Sequence, residues 1–417
     1  MLEQVTKLKK IFNDYPRAFW TYNLIVFIDH LGGFMLYPFF ALYLTKKFEI
    51  GMSTVGILFA VFSVSGMVGN ALGGALADRF GRKGVIIVSL LLSALSALGM
   101  GFAPTLAIFI AVSVIVGTLS NIGGPAQEAV IADLLPPEKR AEGYGIFRVV
   151  FNVSAIIAPP VAGLLVANSY LTLFVVDTVI SVIAAIIVAV ALPETKPQDK
   201  PDAKPETLRQ TFVGYYHVFK DGPFLVFIAI TVLMTLVYTN MNTTLGVFLR
   251  DYRGVKEISY GTILSINAII VVVLQFWVTH KLEKFKPMLM MAIGSLFYAA
   301  GFAMYGFVNG FFLFAAAMVV ITIGEMVVSP FQQSIVAGFA PEDMRGRYMA
   351  VSGLTWSIAF SIGPYFAGLL LDSKNPNILW YVSGLVGLLA AFGFLLFNKR
   401  QLQTRSVNPK NTPKLTQ

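Results

Sequence analysis

Long apolar stretches are the feature that most restricts the folds open to this chain. Twelve of them run along the sequence, and an α-helix needs about 20 apolar residues to cross the hydrocarbon layer of a bilayer. Charged residues make up 13% of the chain, against about 25% in soluble domains. We therefore predict an all-α membrane protein with twelve transmembrane helices. They lie near residues 17–44, 52–77, 83–102, 105–134, 142–167, 170–192, 223–249, 257–281, 288–308, 311–337, 347–371 and 377–398.

A single long polar segment divides these stretches into two groups of six. Residues 193–222 hold four prolines among lysines and acidic residues, which is typical of a linker rather than of a folded domain. The predicted organisation is an N-terminal six-helix half at 1–192, a cytoplasmic linker at 193–222, a C-terminal six-helix half at 223–398 and a cytoplasmic tail at 399–417.

The basic residues indicate which helix ends face the cytoplasm. If both termini lie inside, 24 of the 31 lysines and arginines fall in cytoplasmic segments, six fall in outer loops and Arg148 lies within a helix. Such an excess is typical of cytoplasmic loops. We expect a multi-pass protein of the cell membrane, of the bacterial inner or plasma membrane type, with both termini in the cytoplasm. Its net charge of +9 then suits anionic lipid better than nucleic acid.

The two predicted halves are copies of one another. A constant offset of 205 residues aligns several separated stretches without a gap: 125–127 with 330–332, 159–165 with 364–370, and 78–80 with 283–285. An even number of helices in each copy leaves the orientation unchanged. We therefore predict two parallel six-helix repeats, an arrangement typical of transporters that bind substrate between the repeats.

The loop between the second and third helices reads Gly-Ala-Leu-Ala-Asp-Arg-Phe-Gly-Arg-Lys over residues 74–83. It resembles the loop signature of the major facilitator superfamily, G-x-L-a-D-r-x-G-r-k, at every defining position. The resemblance implies the major facilitator fold and a latch that stabilises one access state. We also expect pairs at other cytoplasmic helix ends, Asp133 with Arg140 and Asp343 with Arg345 or Arg347. The predicted latch residues are Gly74, Asp78, Arg79, Gly81, Arg82, Asp133, Arg140, Asp343 and Arg345.

Two further stretches resemble one branch of that superfamily. Residues 158–163 read Ala-Pro-Pro-Val-Ala-Gly, and residues 324–330 read Gly-Glu-Met-Val-Val-Ser-Pro. The first is similar to the span-5 motif of the drug–proton antiporters, the twelve-span multidrug efflux branch, and the second to a span-10 segment of proton-coupled multidrug exporters. Alanine stands at positions 158 and 162 where that branch has glycine, and small residues of either kind permit close helix packing.

Acidic residues within the predicted helices need a specific role, because each costs about 2.5–3.5 kcal/mol on insertion scales. A carboxyl group in apolar surroundings can exchange protons near neutral pH. We therefore expect Glu325 and Asp29 to carry protons. Glu128 is a third candidate for coupling, and its place on a span adjacent to that of Arg148 is compatible with a pair. Asp177 lies near the outer half of the sixth helix, where water could reach it.

Aromatic and amide side chains on these helices indicate the character of a substrate cavity. Aromatic faces attract cations and stack on planar ligands, and amides supply hydrogen bonds. The residues expected to line the cavity are Tyr37, Arg148, Asn152, Tyr238, Asn242, Asn267, Gln275, Gln332 and Trp356.

Together these features favour a secondary transporter over an enzyme. The first hypothesis is proton-coupled efflux of hydrophobic or cationic small molecules such as drugs; the alternative is a proton symporter that imports a sugar, organic acid or other metabolite. No glycine-rich nucleotide loop follows a predicted strand, and the absence of cysteine excludes disulfides and thiolate metal sites. We expect a monomer with no cofactor and no metal, driven by the proton gradient, with small-molecule substrate, protons and lipid as its partners.

Overall fold

The computed structural model describes residues 14–196, 215–341 and 344–407. Within these ranges the chain is helical, and twelve helical segments are long and apolar enough to cross a membrane, which confirms the predicted fold class. The helices are α1 Arg17–Leu36, α2 Phe40–Phe48, α3 Met52–Phe80, α4 Arg82–Phe102, α5 Leu106–Ser120, α6 Gly124–Leu134, α7 Pro137–Val166, α8 Leu171–Ala191, α9 Gly222–Thr243, α10 Leu245–Arg253, α11 Glu257–Leu282, α12 Pro287–Phe307, α13 Phe311–Phe339, α14 Arg345–Leu371 and α15 Ile378–Val407.

Two spans that the sequence predicts as continuous helices each contain a 3₁₀ turn. Tyr37–Phe39 separates α1 from α2, and Asn121–Gly123 separates α5 from α6. Proline lacks a backbone N–H and so interrupts the i→i−4 hydrogen bonds of a helix. Pro38 lies inside the first turn, and Pro125 is the second residue after the other turn. Each break therefore has a proline within it or just after it, although Pro330 and Pro364 stand inside continuous helices.

The seventh span ends earlier than the predicted residue 249. Helix α9 stops at Thr243 and α10 begins at Leu245. The hydroxyl of Thr244, between them, donates a hydrogen bond to the side-chain oxygen of Asn240 (3.1 Å). Helix α10 ends at Gly254, whose φ of 63° is a left-handed conformation that glycine adopts without a steric penalty.

The described residues pack into two units. Unit 1 holds residues 14–48, 61–196 and 260–265, and unit 2 holds residues 49–60, 215–259, 266–341 and 344–407. Most of the predicted linker, residues 197–214, lies outside the described residues. The short segments 49–60 and 260–265 group with the unit opposite to the half in which the sequence places them.

Side-chain hydrogen bonds account for both short segments. In unit 2, the Asp372 carboxylate accepts hydrogen bonds from the backbone N–H groups of Met52 and Ser53 (2.8 Å each) and from the Ser53 hydroxyl (2.7 Å). It therefore caps the first turn of α3, where unpaired N–H groups favour an anion. In unit 1, the Ser265 hydroxyl donates a hydrogen bond to the carbonyl oxygen of Ile156 (2.6 Å).

Aromatic packing fixes helix α12 in unit 2. Trp380 on α15 is fully buried, and its ring lies 5.0 Å from Phe248, 6.4 Å from Phe302 and 5.3 Å from Tyr305, measured between centroids. Phe302 and Tyr305 belong to α12, which also packs along α13. Burial of such large side chains stabilises each by about 1.5–3 kcal/mol and holds α12 in register with its neighbours.

Candidate functional site

Unit 2 contains a cavity of about 210 Å³ among helices α9, α12, α13 and α14. Of its described lining residues, one is acidic, and the others are aromatic, amide, hydroxyl or aliphatic. The lining residues that decide its chemistry are Tyr238, Tyr298, Glu325, Gln332 and Trp356.

Glu325 is held by hydrogen-bond donors on neighbouring helices. Its Oε2 accepts a hydrogen bond from the Asn267 amide (2.7 Å), and the Tyr238 hydroxyl is a second partner. The same amide of Asn267 lies 3.0 Å from the Thr322 hydroxyl oxygen. Thr322 donates its own proton to the Met318 carbonyl oxygen (2.7 Å), so its oxygen is left to accept from Asn267. The resulting network orients the carboxyl group of Glu325 with donors from α9 and α11.

Aromatic rings form the wall next to this carboxyl group. The Tyr238 ring is perpendicular to the Trp356 indole (centroids 5.6 Å apart) and tilted against Tyr298 (5.4 Å). Trp356 also stacks on Phe360 (5.8 Å). Aromatic faces carry negative charge density and attract cations, so an acid and three rings in one cavity favour a cationic group.

Small residues bring the helices that carry Glu325 and Tyr298 close together. A Cβ atom at Gly324 would lie 2.8 Å from the carbonyl oxygen of Gly294, and one at Gly294 would overlap the Val328 side chain. Gly324 directly precedes Glu325, and Gly294 lies about one turn before Tyr298. The close crossing of α12 and α13 therefore sets the acid beside the tyrosine.

Several of the predicted cavity residues of unit 2 converge on Glu325. Tyr238, Gln332 and Trp356 line the cavity, and Asn267 reaches the acid through its amide. Gln275 instead donates hydrogen bonds to the Met326 carbonyl oxygen (3.1 Å) and the Thr279 hydroxyl (2.9 Å). Asn242 is half-buried near the end of α9. Neither of these two is among the described lining residues.

In unit 1, Asp29 on α1 meets an amide of the opposite helix. Its carboxyl group forms a side-chain hydrogen bond with Gln127 on α6. The Tyr22 hydroxyl donates a hydrogen bond to the Gln127 carbonyl oxygen (2.5 Å), which fixes the backbone that carries the amide. The acid is thus positioned by a contact between α1 and α6.

His30, next to Asp29, lies among phenylalanine rings. Its Nδ1 lies 2.9 Å from the Val26 carbonyl oxygen, and because a carbonyl only accepts, Nδ1 is the donor. The imidazole meets the Phe151 ring edge-on (4.9 Å) and lies 6.2 Å from Phe34 and 6.4 Å from Phe147. This is a second aromatic group around an ionisable side chain.

The other predicted site residues of unit 1 stand apart from this group. Glu128 and Arg148 are exposed, and among the described side chains no ion pair joins them. Asn152 is half-buried on α7, and Tyr37 is exposed in the 3₁₀ turn after α1. The expected pairing of Glu128 with Arg148 is therefore absent from the described residues.

The loop between α3 and α4 has a partner that the loop signature does not indicate. Gly81 has a φ of 91°, and a Cβ there would overlap the carboxylate of Glu194. That carboxylate accepts hydrogen bonds from the N–H groups of Arg82 (2.8 Å) and Lys83 (3.3 Å), so it caps the first turn of α4. Partial burial acts to raise the pKa of Glu194, but hydrogen bonds from four backbone N–H groups hold this pKa below its ordinary value of 4.5.

Asp133 has a different partner from the predicted one. Its Oδ2 lies 3.4 Å from Nε of Arg82, whereas Arg140 donates through Nε to the Leu135 carbonyl oxygen (3.2 Å). The pairing of Asp133 with Arg140 is therefore replaced by a contact between α6 and the start of α4. Arg82 and Asp133 both belong to the predicted latch, but the sequence did not predict that they contact each other.

The remaining latch residues show fewer contacts. A Cβ at Gly74 would meet nothing within 4 Å, so no close approach explains the glycine there. Arg79 and Arg345 are exposed at the ends of α3 and α14. Asp343 lies outside the described residues, and so does the side chain of Asp78.

Asp177 is a buried acid in this structure rather than a water-exposed one. Only 7% of its surface is exposed, and its Oδ1 lies against Gly32 on α1. The sequence carries one signal of this contact, the glycine on α1. Tyr298 and Thr322 are not evident from the sequence, because an uncharged side chain on a long apolar helix gives no sign of the face on which it lies.

Comparison with known proteins identifies relatives over most of the chain. A family model described as the Major Facilitator Superfamily matches residues 23–351 and 283–416. The Na(+), Li(+), K(+)/H(+) antiporter of Planococcus maritimus is 26% identical over 381 residues, covering 84% of this chain and 89% of the relative. The multidrug resistance protein MdtH of Shigella flexneri is 23% identical over 385 residues, covering 89% and 92%.

Solved structures match the fold. A nucleoside transporter, NupG, aligns with a TM-score of 0.80 at 14% identity, over 91% of this chain and 100% of that chain. A POT family transporter in complex with a thioalcohol-conjugated peptide aligns with a TM-score of 0.77 at 13% identity, over 92% and 96%. At such identities the likeness concerns the fold alone.

Proposed function

We propose that this chain exports hydrophobic or cationic small molecules in exchange for protons. The chain belongs to the major facilitator superfamily, so it is a membrane transporter and not an enzyme. The observation that carries the proposal is the environment of Glu325. An acid held by Asn267 and Tyr238 faces a cavity walled by aromatic rings. Such a site can hold either a proton on the carboxyl group or a cation beside the carboxylate, and this competition is the basis of antiport.

The size of the cavity limits what binds there. Its volume of about 210 Å³ is below the range of about 300–1,000 Å³ typical for drug-sized ligands. We expect it to hold the charged end of a substrate, with the cation near Glu325 and against Trp356 and Tyr298. The apolar remainder of the molecule would extend out of this cavity.

The name of one relative supports exchange, and the names of the two relatives differ in the solute. One relative is named for antiport of Na(+), Li(+) and K(+) against protons, and another for multidrug resistance. Exchange of inorganic monovalent cations is therefore the second candidate, favoured by the first of these names. The aromatic walls favour an organic cation, because small inorganic cations are bound mainly by oxygen ligands.

The orientation proposed from the sequence completes the scheme. The 24 to 6 division of basic residues supports cytoplasmic termini in a cell membrane. The protein would act as a monomer, with the proton gradient as its energy source and no cofactor. Protons would enter from the outer side as the solute leaves the cytoplasm.

Proteoliposomes with an imposed pH gradient test the proposal. The probe is ethidium, an aromatic cation, with Na⁺ and Rb⁺ as the inorganic alternatives. We expect gradient-driven ethidium flux, lowered at least about tenfold by Glu325→Gln, a barrier change of roughly 1.4 kcal/mol. Glu283→Gln is the matched control, since Glu283 is exposed and paired with His280 outside the cavity. Flux that ignores the gradient in both directions contradicts proton coupling, and uptake driven with the gradient indicates import.

A further inference from the structure

Asp177 is a buried acidic side chain of unit 1. It is 7% exposed, and among the described residues no hydrogen bond or ion pair reaches its carboxyl group. The hydroxyl of the neighbouring Thr178 donates a hydrogen bond to the Phe174 carbonyl oxygen (2.7 Å) and also contacts the Ala94 carbonyl oxygen (3.2 Å). This hydroxyl is therefore directed at backbone carbonyls. A charged carboxylate in these surroundings is strongly disfavoured relative to the neutral acid.

The carboxyl group is aimed at α1, at the position of a glycine. A Cβ at Gly32 would overlap Oδ1 of Asp177, so the missing side chain makes the space that the carboxyl occupies. Asp29 lies three residues earlier on the same helix, about one turn away, and interacts electrostatically with Asp177. The two acids therefore lie on packed helices, with Asp177 against Gly32 and Asp29 one turn from that glycine, hydrogen-bonded to Gln127.

Another ionisable group beside this pair is His30, which interacts electrostatically with Asp29. Helix α8 packs against α1, α4 and α7. His30 follows Asp29 on α1 and uses its Nδ1 on a backbone carbonyl. The charged residues of α4 and α7 lie in the first half of each helix. Among the described residues, Asp29 is the titratable group that interacts with Asp177.

We propose that Asp177 and Asp29 form a two-carboxyl proton site in unit 1, in which Asp177 takes up and releases a proton in every transport cycle. Uptake forms one O–H bond on Asp177 and release breaks it, with water or the Asp29 carboxylate as the exchange partner. The charged form repels Asp29 and disfavours close packing of α8 on Gly32, whereas the neutral form permits it. Protonation thereby controls the contact between α1 and α8. The role of Asp177 in the transport cycle rests on the proposed proton coupling, whereas the binding of a proton by Asp177 does not.

Infrared difference spectroscopy of the full-length protein in lipid, between acid and alkaline pH, tests the site directly. The wild type should show protonated carboxyl C=O bands that disappear with rising pH. Asp177→Asn should remove one of these bands, and Asp29→Asn should shift the midpoint of the one that remains. A band that survives unchanged in Asp177→Asn overturns the proposal, and so does an Asp177 band that never titrates, because that carboxyl group would be a permanently neutral structural element.

Two adjacent glycines provide a matched pair that leaves both acids in place. Gly32→Ala pushes a methyl group into the space of the Asp177 carboxyl, whereas a Cβ at Gly33, which is exposed, meets nothing within 4 Å. We expect Gly32→Ala to shift the titration midpoint of the Asp177 band and Gly33→Ala to leave it unchanged. Equal spectra for the two variants would contradict the proposed geometry.

Transport then decides whether the proton takes part in the cycle. The ratio of protons to ethidium in proteoliposomes should fall by about one proton in Asp177→Asn, because one carboxyl group binds one proton. An unchanged ratio after loss of the infrared band overturns the role in transport. If wild-type flux ignores the pH gradient, the proposed function fails, while the infrared comparison of the wild type with Asp177→Asn still decides whether Asp177 binds a proton.

Discussion

The two units both carry acids within their helices, but they surround them differently. In unit 2, Glu325 is hydrogen-bonded by Asn267 and Tyr238 and faces a cavity with aromatic walls. In unit 1, Asp177 has no hydrogen-bond partner among the described residues and fills a space left by Gly32. A cavity with oriented donors suits a solute, whereas a buried acid without donors suits a proton alone.

The repeat shows a related difference around Asp29. At the offset of 205 residues, Gln127 is equivalent to Gln332; the first bonds to Asp29 and the second lines the cavity of Glu325. The position equivalent to Asp29 in unit 2 is Met234, which also lines that cavity. The duplicated helices thus keep a glutamine beside an acid in each unit, but the acid has moved to another helix. The location of a site is retained while its chemistry changes.

Removing the amide donor should produce the largest effect on unit 2. Asn267→Leu breaks the hydrogen bonds to Glu325 and Thr322, and loss of a buried donor costs about 1–3 kcal/mol of stability. Gradient-driven ethidium flux should fall by at least about tenfold, because the carboxyl group is no longer oriented.

The control separates transport from stability. Asn240→Leu removes another buried amide, which donates to the Ser383 hydroxyl (3.1 Å) in the same unit and is not part of the described cavity lining. It should lower thermal stability to a similar degree while sparing the flux per folded molecule. If the two variants lose flux equally, Asn267 acts through packing. The hydrogen bonds to Glu325 would then not distinguish its site from that of Asp177.

An intermediate effect is expected from the aromatic wall. Trp356→Leu removes the ring that stands perpendicular to Tyr238 and should weaken binding of an aromatic cation by about 0.5–2 kcal/mol, which is roughly 2- to 30-fold in apparent affinity. Trp277→Leu is the control, since Trp277 is 60% exposed and lies outside the cavity. The apparent KM for ethidium measures the difference. A loss that is equal for Na⁺ and ethidium would argue against recognition by the ring.

The sequence predicts the fold well because the bilayer imposes a simple rule. A segment that crosses lipid must be apolar and helical, so twelve apolar stretches become twelve spanning segments. The predictions that differ from the structure concern local breaks and ends of helices. Pro38 converts part of the first span into a 3₁₀ turn, and Thr244 ends the seventh early. These breaks depend on single hydrogen bonds that average apolarity does not report.

The sequence marks part of the site through a charge and through several amide and aromatic side chains. Glu325 stands out as an acid in an apolar run, and the residues around it that the sequence named are amides and aromatics. Tyr298 was missed because its place beside Glu325 depends on the close crossing at Gly294 and Gly324. Asp177 stands out as an acid too, but its burial was not evident, because helix rotation, which decides burial, follows from packing rather than from composition.

The smallest expected effect concerns a loop in which the units also differ. In unit 1, Glu194 caps α4 after the left-handed Gly81. At the offset of 205 residues, unit 2 has Lys286 in place of Gly81 and Lys399 in place of Glu194. Helix α12 begins without a side-chain cap and has Pro287 in its first turn, which removes one of the N–H groups that would need an acceptor.

Glu194→Gln should therefore lower stability by about 0.5–1 kcal/mol, the range for an exposed cap, and the effect should depend on pH. The pKa of Glu194 is lowered in the folded protein from its ordinary 4.5, so its contribution is present above that value and is lost as the pH falls through the folded-state pKa. Thermal unfolding of the purified protein in detergent should show the variant less stable at pH 7 and equal to the wild type at strongly acid pH. Lys399→Gln, at the equivalent position of unit 2, should show no such convergence. If the loss of stability in Glu194→Gln persists unchanged at acid pH, the side chain stabilises the loop through its shape and not through its charge. The two loops would then differ in the glycine at position 81 and not in an electrostatic cap.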